Sequence, residues 1–288
     1  MHKPVLLKES VDALDLSDDK ILIDGTFGAG GHSKEVRKRF GDKVAIYGLD
    51  RDPIVAETNQ DFTVKTLNFA DIDKLHVRPD AILLDLGISS DQLETSGRGF
   101  TFQKDEPLDM RMSGVLNQPS SAQTITAADI LNSWDEQAIE LILRGFGEEK
   151  YSYRIAKEIV RTRDLRPFKT TFDLVQTIES VVPKNFKKFR INPATRTFQA
   201  LRIAVNEELT ALENGLEKSF QILKPEGRLA VITFHSLEDR MVKNFFREKA
   251  KAGKAELINK KPITPREEET QSNPRSRSAK LRIIKKLL

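Results

Sequence analysis

The run Ile21-Leu22-Ile23 ends in Asp24 and breaks at once into Gly25-Thr26-Phe27-Gly28-Ala29-Gly30-Gly31-His32-Ser33, after which Ser33-Lys34-Glu35-Val36 opens a helix. Strand, tight loop and helix start, in that order, form the layout of a nucleotide-type cofactor site. Glycines in the loop let the backbone turn sharply and let a cofactor approach without meeting a Cβ. The next apolar run, Val44-Ala45-Ile46-Tyr47-Gly48-Leu49, ends in Asp50. That acid lies about 20 residues beyond the loop, the spacing of a carboxylate that holds a pair of ribose hydroxyls. Each feature alone has a plainer reading, an ordinary strand-to-helix turn and an ordinary loop acid. Their conjunction points to an adenosine-containing cofactor.

A dinucleotide fingerprint wants glycine where this loop has Ser33, so the match to a nicotinamide site is imperfect. Asp24 ahead of the first glycine resembles instead the first motif of class I S-adenosylmethionine methyltransferases. In those enzymes the loop cradles the amino-acid end of the cofactor. Ala81-Ile82-Leu83-Leu84-Asp85-Leu86-Gly87 resembles their fourth strand, with its acid beside the methyl group. The stretch from Leu223-Lys224-Pro225-Glu226-Gly227 to Ile232 resembles the helix, turn and fifth strand that follow. As bare residues, both segments are also simply buried parallel strands.

These residues need a scaffold. Strands alternate with helices from Ile21 to Asp85, as a parallel sheet requires. The next convincing strand begins only near Arg228, and the chain between carries helical apolar spacing over 127–131, 136–143, 153–163 and 172–181. A block of that size is too long for a loop and reads as a second domain. The expected organisation is residues 1–104 and 206–288 as an α/β domain and 105–205 as an inserted helical domain. Asn192-Pro193 fits an N-cap followed by proline at the first helical position. From there Phe198, Leu201, Val205, Leu209, Leu212, Leu216 and Phe220 predict one long amphipathic helix whose stripe is core. Residues 259–277 read as a mobile surface loop before a final strand near Leu281-Arg282-Ile283-Ile284.

Composition narrows the classes. The 288 residues include no cysteine, so disulfides and thiolate metal sites are excluded and a cytoplasmic location is expected. The histidines, His2, His32, His76 and His235, show no metal-ligand spacing. No window is apolar enough to span a bilayer, and the N-terminus lacks the pattern of a signal peptide. The net charge of +4 hides an asymmetry: 105–149 holds 2 basic and 9 acidic residues, whereas 150–205 holds 13 basic and 4 acidic. Basic blocks on a cofactor-binding chain favour a polyanionic substrate, with nucleic acid leading. Lys184-Asn185-Phe186-Lys187-Lys188-Phe189-Arg190 interleaves cations and aromatics, which suits phosphate contacts beside base stacking. A basic loop whose phenylalanines cover the core is the competing reading. Lys184, Lys187, Lys188 and Arg190, with Arg196, are the candidate RNA contacts. Arg275, Arg277, Lys280 and Arg282 of the C-terminal segment are the alternative.

Taken together the segments resemble the bacterial 16S ribosomal RNA cytosine-N4 methyltransferase family (RsmH/MraW). The carrying motifs are the loop 24–33, Asp50-Arg51-Asp52-Pro53, Leu84-Asp85-Leu86-Gly87-Ile88-Ser89-Ser90 and Arg98-Gly99-Phe100. Pro107-Leu108-Asp109-Met110-Arg111-Met112, Gly147-Glu148-Glu149, Asn192–Ala200, Phe234–Arg240 and Asn273–Ser278 complete the set. The resemblance implies a Rossmann-like class I S-adenosylmethionine methyltransferase domain with a helical insertion. The implied substrate is 16S rRNA in the decoding region, as part of the small ribosomal subunit. The implied cofactor contacts are Gly30, Gly31, His32, Asp50, Phe69, Asp85 and Gln92. Asp50 would hold the ribose, Phe69 would sit by the adenine, and Asp85 and Gln92 would close the methionine end. The family often has Ser-Ser-Pro-Gln where this chain reads Ser89-Ser90-Asp91-Gln92, which relaxes the backbone restriction on Gln92.

The lack of cysteine also bears on the reaction. Methylation at cytosine C5 normally runs through a thiolate that attacks the ring, and this chain has no thiol. The exocyclic N4 amine is the other usual cytosine target. Its lone pair is delocalised into the ring, so the site must align the nitrogen with the sulfonium methyl and accept a hydrogen bond from the amine. Asp85, the backbone carbonyls after it, or Asp109 are the candidate acceptors; an ion pair of Asp109 with Arg111 is the competing reading. The base would leave its stack to reach the pocket. Two rival functions are an NAD-dependent oxidoreductase and an RNA-binding assembly factor whose methylation is incidental.

Overall fold

The computed structural model describes residues 3–88, 93, 96–112, 125–183 and 192–288. The chain separates into two compact units, Met1–Gly87 with Leu209–Leu288, and Ile88–Glu208. Helix α1 (Leu7–Ala13) precedes β1 (Ile21–Asp24), α2 (Gly31–Phe40), β2 (Ala45–Asp50), α3 (Pro53–Thr58) and β3 (Thr63–Thr66). A 3-10 segment, Phe69–Leu75, leads to β4 (Ala81–Asp85). Asp52 caps α3 by accepting from Ile54 N at 3.1 Å, ahead of Pro53 at the first helical position.

The helical unit follows as α4 (Ala127–Ser133), α5 (Glu136–Gly147), α6 (Ser152–Arg163), α7 (Thr171–Val181) and α8 (Thr195–Asn206). Thr126 and Asp129 form a capping box on α4, and Thr170 and Asp173 one on α7. The core joins Phe100, Leu108 and Met110 to Leu131, Ile139, Leu143, Ile155, Ile159, Leu174, Ile178 and Leu201. This packing moves the expected boundary at 104/105. Phe100 is buried in the helical core, and Gly99 lies so close to the Pro107 carbonyl that a Cβ would stand 2.2 Å from it. Residues from Ile88 onward therefore belong to the helical unit.

The expected single helix from Asn192 is two. The first begins at Thr195, after Asn192 Oδ1 has accepted from Ala194 N in a local turn. It stops at Glu207, which is left-handed at φ 49°, and α9 (Glu208–Ile222) then starts. The apolar spacing runs across the break because a single left-handed residue interrupts the ladder without disturbing the count of three and four. The division between the units falls at the same place.

After α9 come β5 (Arg228–Thr233), α10 (Ser236–Lys251), β6 (Ala255–Leu257), α11 (Glu267–Ser272) and β7 (Lys280–Lys286). The strands form a seven-stranded sheet in the order β3-β2-β1-β4-β5-β7-β6. Pairing is parallel from β3 to β5, and β7 is antiparallel to both neighbours. Alternate residues of the central strands feed two cores: Ile23, Ile82, Leu84 and Val231 on one face, Leu22, Leu83, Ala230 and Ile232 on the other. Burial on both faces is why these strands read as unbroken apolar runs. The strand order reverses between β1 and β4, so the loops leaving their carboxyl ends diverge and open a crevice there. The stretch 259–277, expected as a mobile loop, contains α11 and a 3-10 turn (Pro274–Ser278). It is tied down: Glu269 accepts from Leu6 N at 2.8 Å, and Ile263 pairs with Leu281. Among the described residues no helix is long and apolar enough to cross a membrane.

Candidate active site

The loop after β1 is strapped to the ends of both flanking strands. Gly25 N donates to Leu83 O and Asp85 N donates to Thr26 Oγ1 (2.9 and 2.6 Å), which fixes one side to β4. Phe27 N donates to Leu49 O and Gly28 N to Asp50 Oδ2 (both 2.8 Å), which fixes the other to β2. Gly30 then turns into α2 with φ 72°, and a Cβ there would stand 2.7 Å from the Phe27 ring. Both the left-handed backbone and the ring demand glycine at this position. Gly31 opens α2 against Pro4, so the N-terminal segment lines this end of the helix.

The loop is held over a buried acidic group. Asp24 is 2% exposed and accepts from Ser33 Oγ at 2.7 Å. Burial pushes its carboxyl up to about 6, against the hydrogen bonds from Ser33 and Thr26 N. The serine that breaks the dinucleotide pattern is thus the partner of the motif aspartate. Asp85 closes β4 with Oδ1 buried and, among the described residues, without a hydrogen-bond partner. Burial, reinforced by the carboxylates of Asp24 and Glu238, holds the Asp85 carboxyl well above the usual carboxylate range. Its other oxygen lies 3.8 Å from His32 Nδ1, and the His32 ring is buried with Nε2 3.1 Å from Val5 O. A carbonyl only accepts, so Nε2 carries the proton of that contact. Glu238 is 3% exposed on α10 and accepts from Phe234 N at 2.8 Å. Sequence reasoning missed Glu238 because its approach to Asp85 depends on the sheet order, not on spacing.

Asp50 uses its carboxylate on the backbone. Oδ2 accepts from Gly28 N and Oδ1 from Asp52 N at 2.9 Å, while burial raises its carboxyl above the ordinary value. The Arg51 N–H adds a third backbone contact, and of the roughly four lone-pair sites of a carboxylate one is left to receive a hydroxyl. Phe69 opens the 3-10 segment after β3, half-buried, and its ring packs on α9. A Cβ on Gly215 would stand 2.4 Å from Phe69 Cδ2. Gln92 lies outside the described residues.

The other candidates lie in the helical unit. Both oxygens of Asp109 are taken by Arg111: Nε to Oδ1 at 2.8 Å and Nη2 to Oδ2 at 2.6 Å, with both side chains buried. The pair shapes the loop that also carries Arg98, whose Nη1 donates to Met112 O at 3.0 Å. The bidentate fork gives Asp109 a role in positioning that loop. Arg196 Nη1 donates to Glu148 O at 2.6 Å, next to the C-terminus of α5, so it helps hold the fold. Lys184, Lys187, Lys188 and Arg190 lie outside the described residues.

The model of the MraW methylase family matches residues 1–287. The chain is 43% identical over 316 residues to "Ribosomal RNA small subunit methyltransferase H" of Ruminiclostridium cellulolyticum, covering 99% of each. It is 43% identical over 318 residues to the protein of the same name from Heliobacterium mobile, again covering 99% of each. Among solved structures it is similar to a Streptococcus mutans methyltransferase in complex with SAH, at 14% identity, full coverage of both chains and a TM-score of 0.45. A family model spanning residues 1–287, with relatives of that identity over their whole length, places this chain in the MraW methylase family.

Proposed function

We infer that the protein transfers the methyl group of S-adenosylmethionine to the N4 amine of a cytosine in 16S rRNA, acting on the small ribosomal subunit. The observation that carries the site assignment is Asp85: a carboxylate at the carboxyl end of β4, beside the β1 loop, with one buried oxygen that accepts no hydrogen bond. A buried acceptor left open costs free energy unless a donor arrives, and a cationic cofactor or an amine supplies one. The first turn of α2, opened by Gly31 and His32, has N–H groups suited to the cofactor's carboxylate. Asp50 receives the ribose, and Phe69 offers its ring edge to the adenine. When bound, the cofactor supplies an electrophilic methyl on a sulfonium.

Asp24 and Glu238 act on Asp85 by like charge, and the positive charge of the cofactor would relieve that repulsion. Methylation of the N4 amine by the bound cofactor would require that amine to lose one proton in exchange for the methyl group. Asp85 would accept that proton in its ionised form, which burial disfavours and the cofactor's positive charge would favour. The absence of cysteine removes the thiolate that C5 methylation uses. Contacts from Lys184, Lys187, Lys188 and Arg190 to phosphates, with Arg196 in a lesser part, belong to the same reading. Incubating the protein with labelled S-adenosylmethionine and small ribosomal subunits, then mapping the modified nucleoside, tests it. Label recovered as N4-methylcytidine supports the reading, and an unlabelled rRNA overturns it.

A further inference from the structure

Helix α6 has two faces. Ile155, Ala156 and Ile159 are fully buried in the helical core. Lys150 at its entry, and Tyr153, Arg154, Lys157 and Arg161 along it, are exposed. Steps of three and four place Tyr153, Arg154, Lys157 and Arg161 on one stripe, which Lys150 precedes in the turn before the helix. From Tyr153 to Arg161 the stripe runs about 12 Å at a helical rise of about 1.5 Å per residue.

Other arginines of the same unit serve its fold. Arg163 Nη1 donates to Leu131 O at 3.1 Å near the end of α4, and Arg166 pairs with Asp173 at 2.8 Å. Arg144 pairs with Glu140 at 2.9 Å, and Arg202 with Glu208 at 2.7 Å. Among the described residues only Arg161 of the stripe has such a partner, in Glu158. Lys150, Arg154 and Lys157 have no acidic partner among the described residues. Like charges at three- and four-residue spacing repel one another, so nothing inside the unit favours gathering them on one face. Tyr153 sits among them at 59% exposure, an aromatic face left in water. Cations spaced along a helix with an exposed ring between them match a polyanion whose bases can stack.

We propose that this face of α6 is a contact surface for the RNA substrate, with Lys150, Arg154 and Lys157 on backbone phosphates and Tyr153 against a base. The proposal rests on the function inferred above and adds a surface outside the segment 184–190 and Arg196. A purely acidic protein partner would use the cations and leave the ring idle, so RNA is the occupant the stripe fits best.

The test uses the full chain and purified small subunits, with binding titrated against salt. The variant Lys150→Ala/Arg154→Ala/Lys157→Ala should bind more weakly at low salt. Its log–log salt slope should fall by about 2, since each phosphate contact on a single strand contributes about 0.7. Lys150→Arg/Lys157→Arg should keep the wild-type slope. Tyr153→Ala should weaken binding roughly fivefold or more with the slope unchanged, and Tyr153→Phe should restore it. Melting temperature and S-adenosylmethionine affinity should stay at wild-type values in all four, because every altered side chain is exposed. A triple variant with wild-type affinity and slope, while the wild type binds and methylates the subunit, overturns the surface and leaves the function standing. A wild type that neither binds nor methylates the subunit overturns the function and the surface with it. A triple variant that binds RNA normally but loses affinity for an acidic protein partner overturns the choice of RNA.

Discussion

Replacing Asp24 by asparagine isolates the electrostatic cost at the base of the site. The side chain is 2% exposed, and its carboxyl is pushed up from 3.8 to about 6, first by burial and further by the charge of Asp50. Asparagine keeps an oxygen to accept from Ser33 Oγ but cannot ionise. A carboxyl raised in the folded state is protonated in both states at low pH and carries no penalty there. As pH rises past 4 the unfolded chain ionises first, and folding loses stability until the folded carboxyl also ionises near 6. The shift of about 2 units corresponds to about 3 kcal/mol at roughly 1.36 kcal/mol per unit. The expected result is that the stability of Asp24→Asn relative to wild type grows by about 3 kcal/mol between about pH 4 and pH 7. Because other carboxylates titrate alike in both proteins, the difference between the two curves is the readout. Urea unfolding of the cofactor-free proteins at half-unit steps of pH measures it. Two parallel curves would refute the reasoning, since they would mean that Asp24 titrates normally and that the loop does not bury its charge.

The remaining predictions concern the cofactor and the product. S-adenosylmethionine affinity of the wild type should fall as pH drops through about 6, by up to tenfold per unit, since the cationic cofactor favours ionised Asp24; calorimetry across pH 5 to 7.5 checks this, and Asp24→Asn should show the weaker dependence. Asp50→Ala should lose about 1.5–3 kcal/mol of cofactor affinity, because it removes a charged acceptor and releases Gly28 N and Asp52 N; calorimetry showing unchanged affinity would reject the role. Gly215→Ala should cost about 1–3 kcal/mol of stability and weaken cofactor binding together, because its Cβ would displace the Phe69 ring. Mass spectrometry of digested product RNA should give N4-methylcytidine and no 5-methylcytidine.

Much of the sheet was legible because burial writes itself into the chain. Ile21–Asp24, Ala81–Asp85 and Arg228–Thr233 are covered on both faces and so read as unbroken apolar runs. The helical segments of the insertion carried their spacing for the opposite reason, one wet face and one dry. What stayed hidden was set by single residues or by distant partners. Glu207 breaks a helix that its apolar stripe describes as continuous, and no propensity marks that residue as left-handed. The short edge strand Ala255–Leu257 has too few residues to show a period. The segment 259–277 is polar, yet pairing with Leu281 and a contact from Leu6, far away in sequence, order it.

The site divides the same way. Its positions followed from strand ends, because a doubly wound sheet gathers whatever stands at the carboxyl ends beside the switch between β1 and β4. The roles did not follow. Ser33 counted in the sequence as a departure from a glycine pattern, and in the fold it is the hydrogen-bond donor that holds Asp24. Asp50 looked like a free acceptor and is first a clasp on the loop backbone. Asp109 looked like a second acid and is closed by Arg111 two residues away, a pairing the sequence allowed but could not choose. Sequence spacing tells which side chains can reach a point. Whether a carboxylate there is open or already satisfied depends on every donor the fold brings within hydrogen-bond distance, and that decides whether it can serve chemistry. By that criterion Asp85, with a buried oxygen that accepts no hydrogen bond among the described residues, is the acid we propose to act.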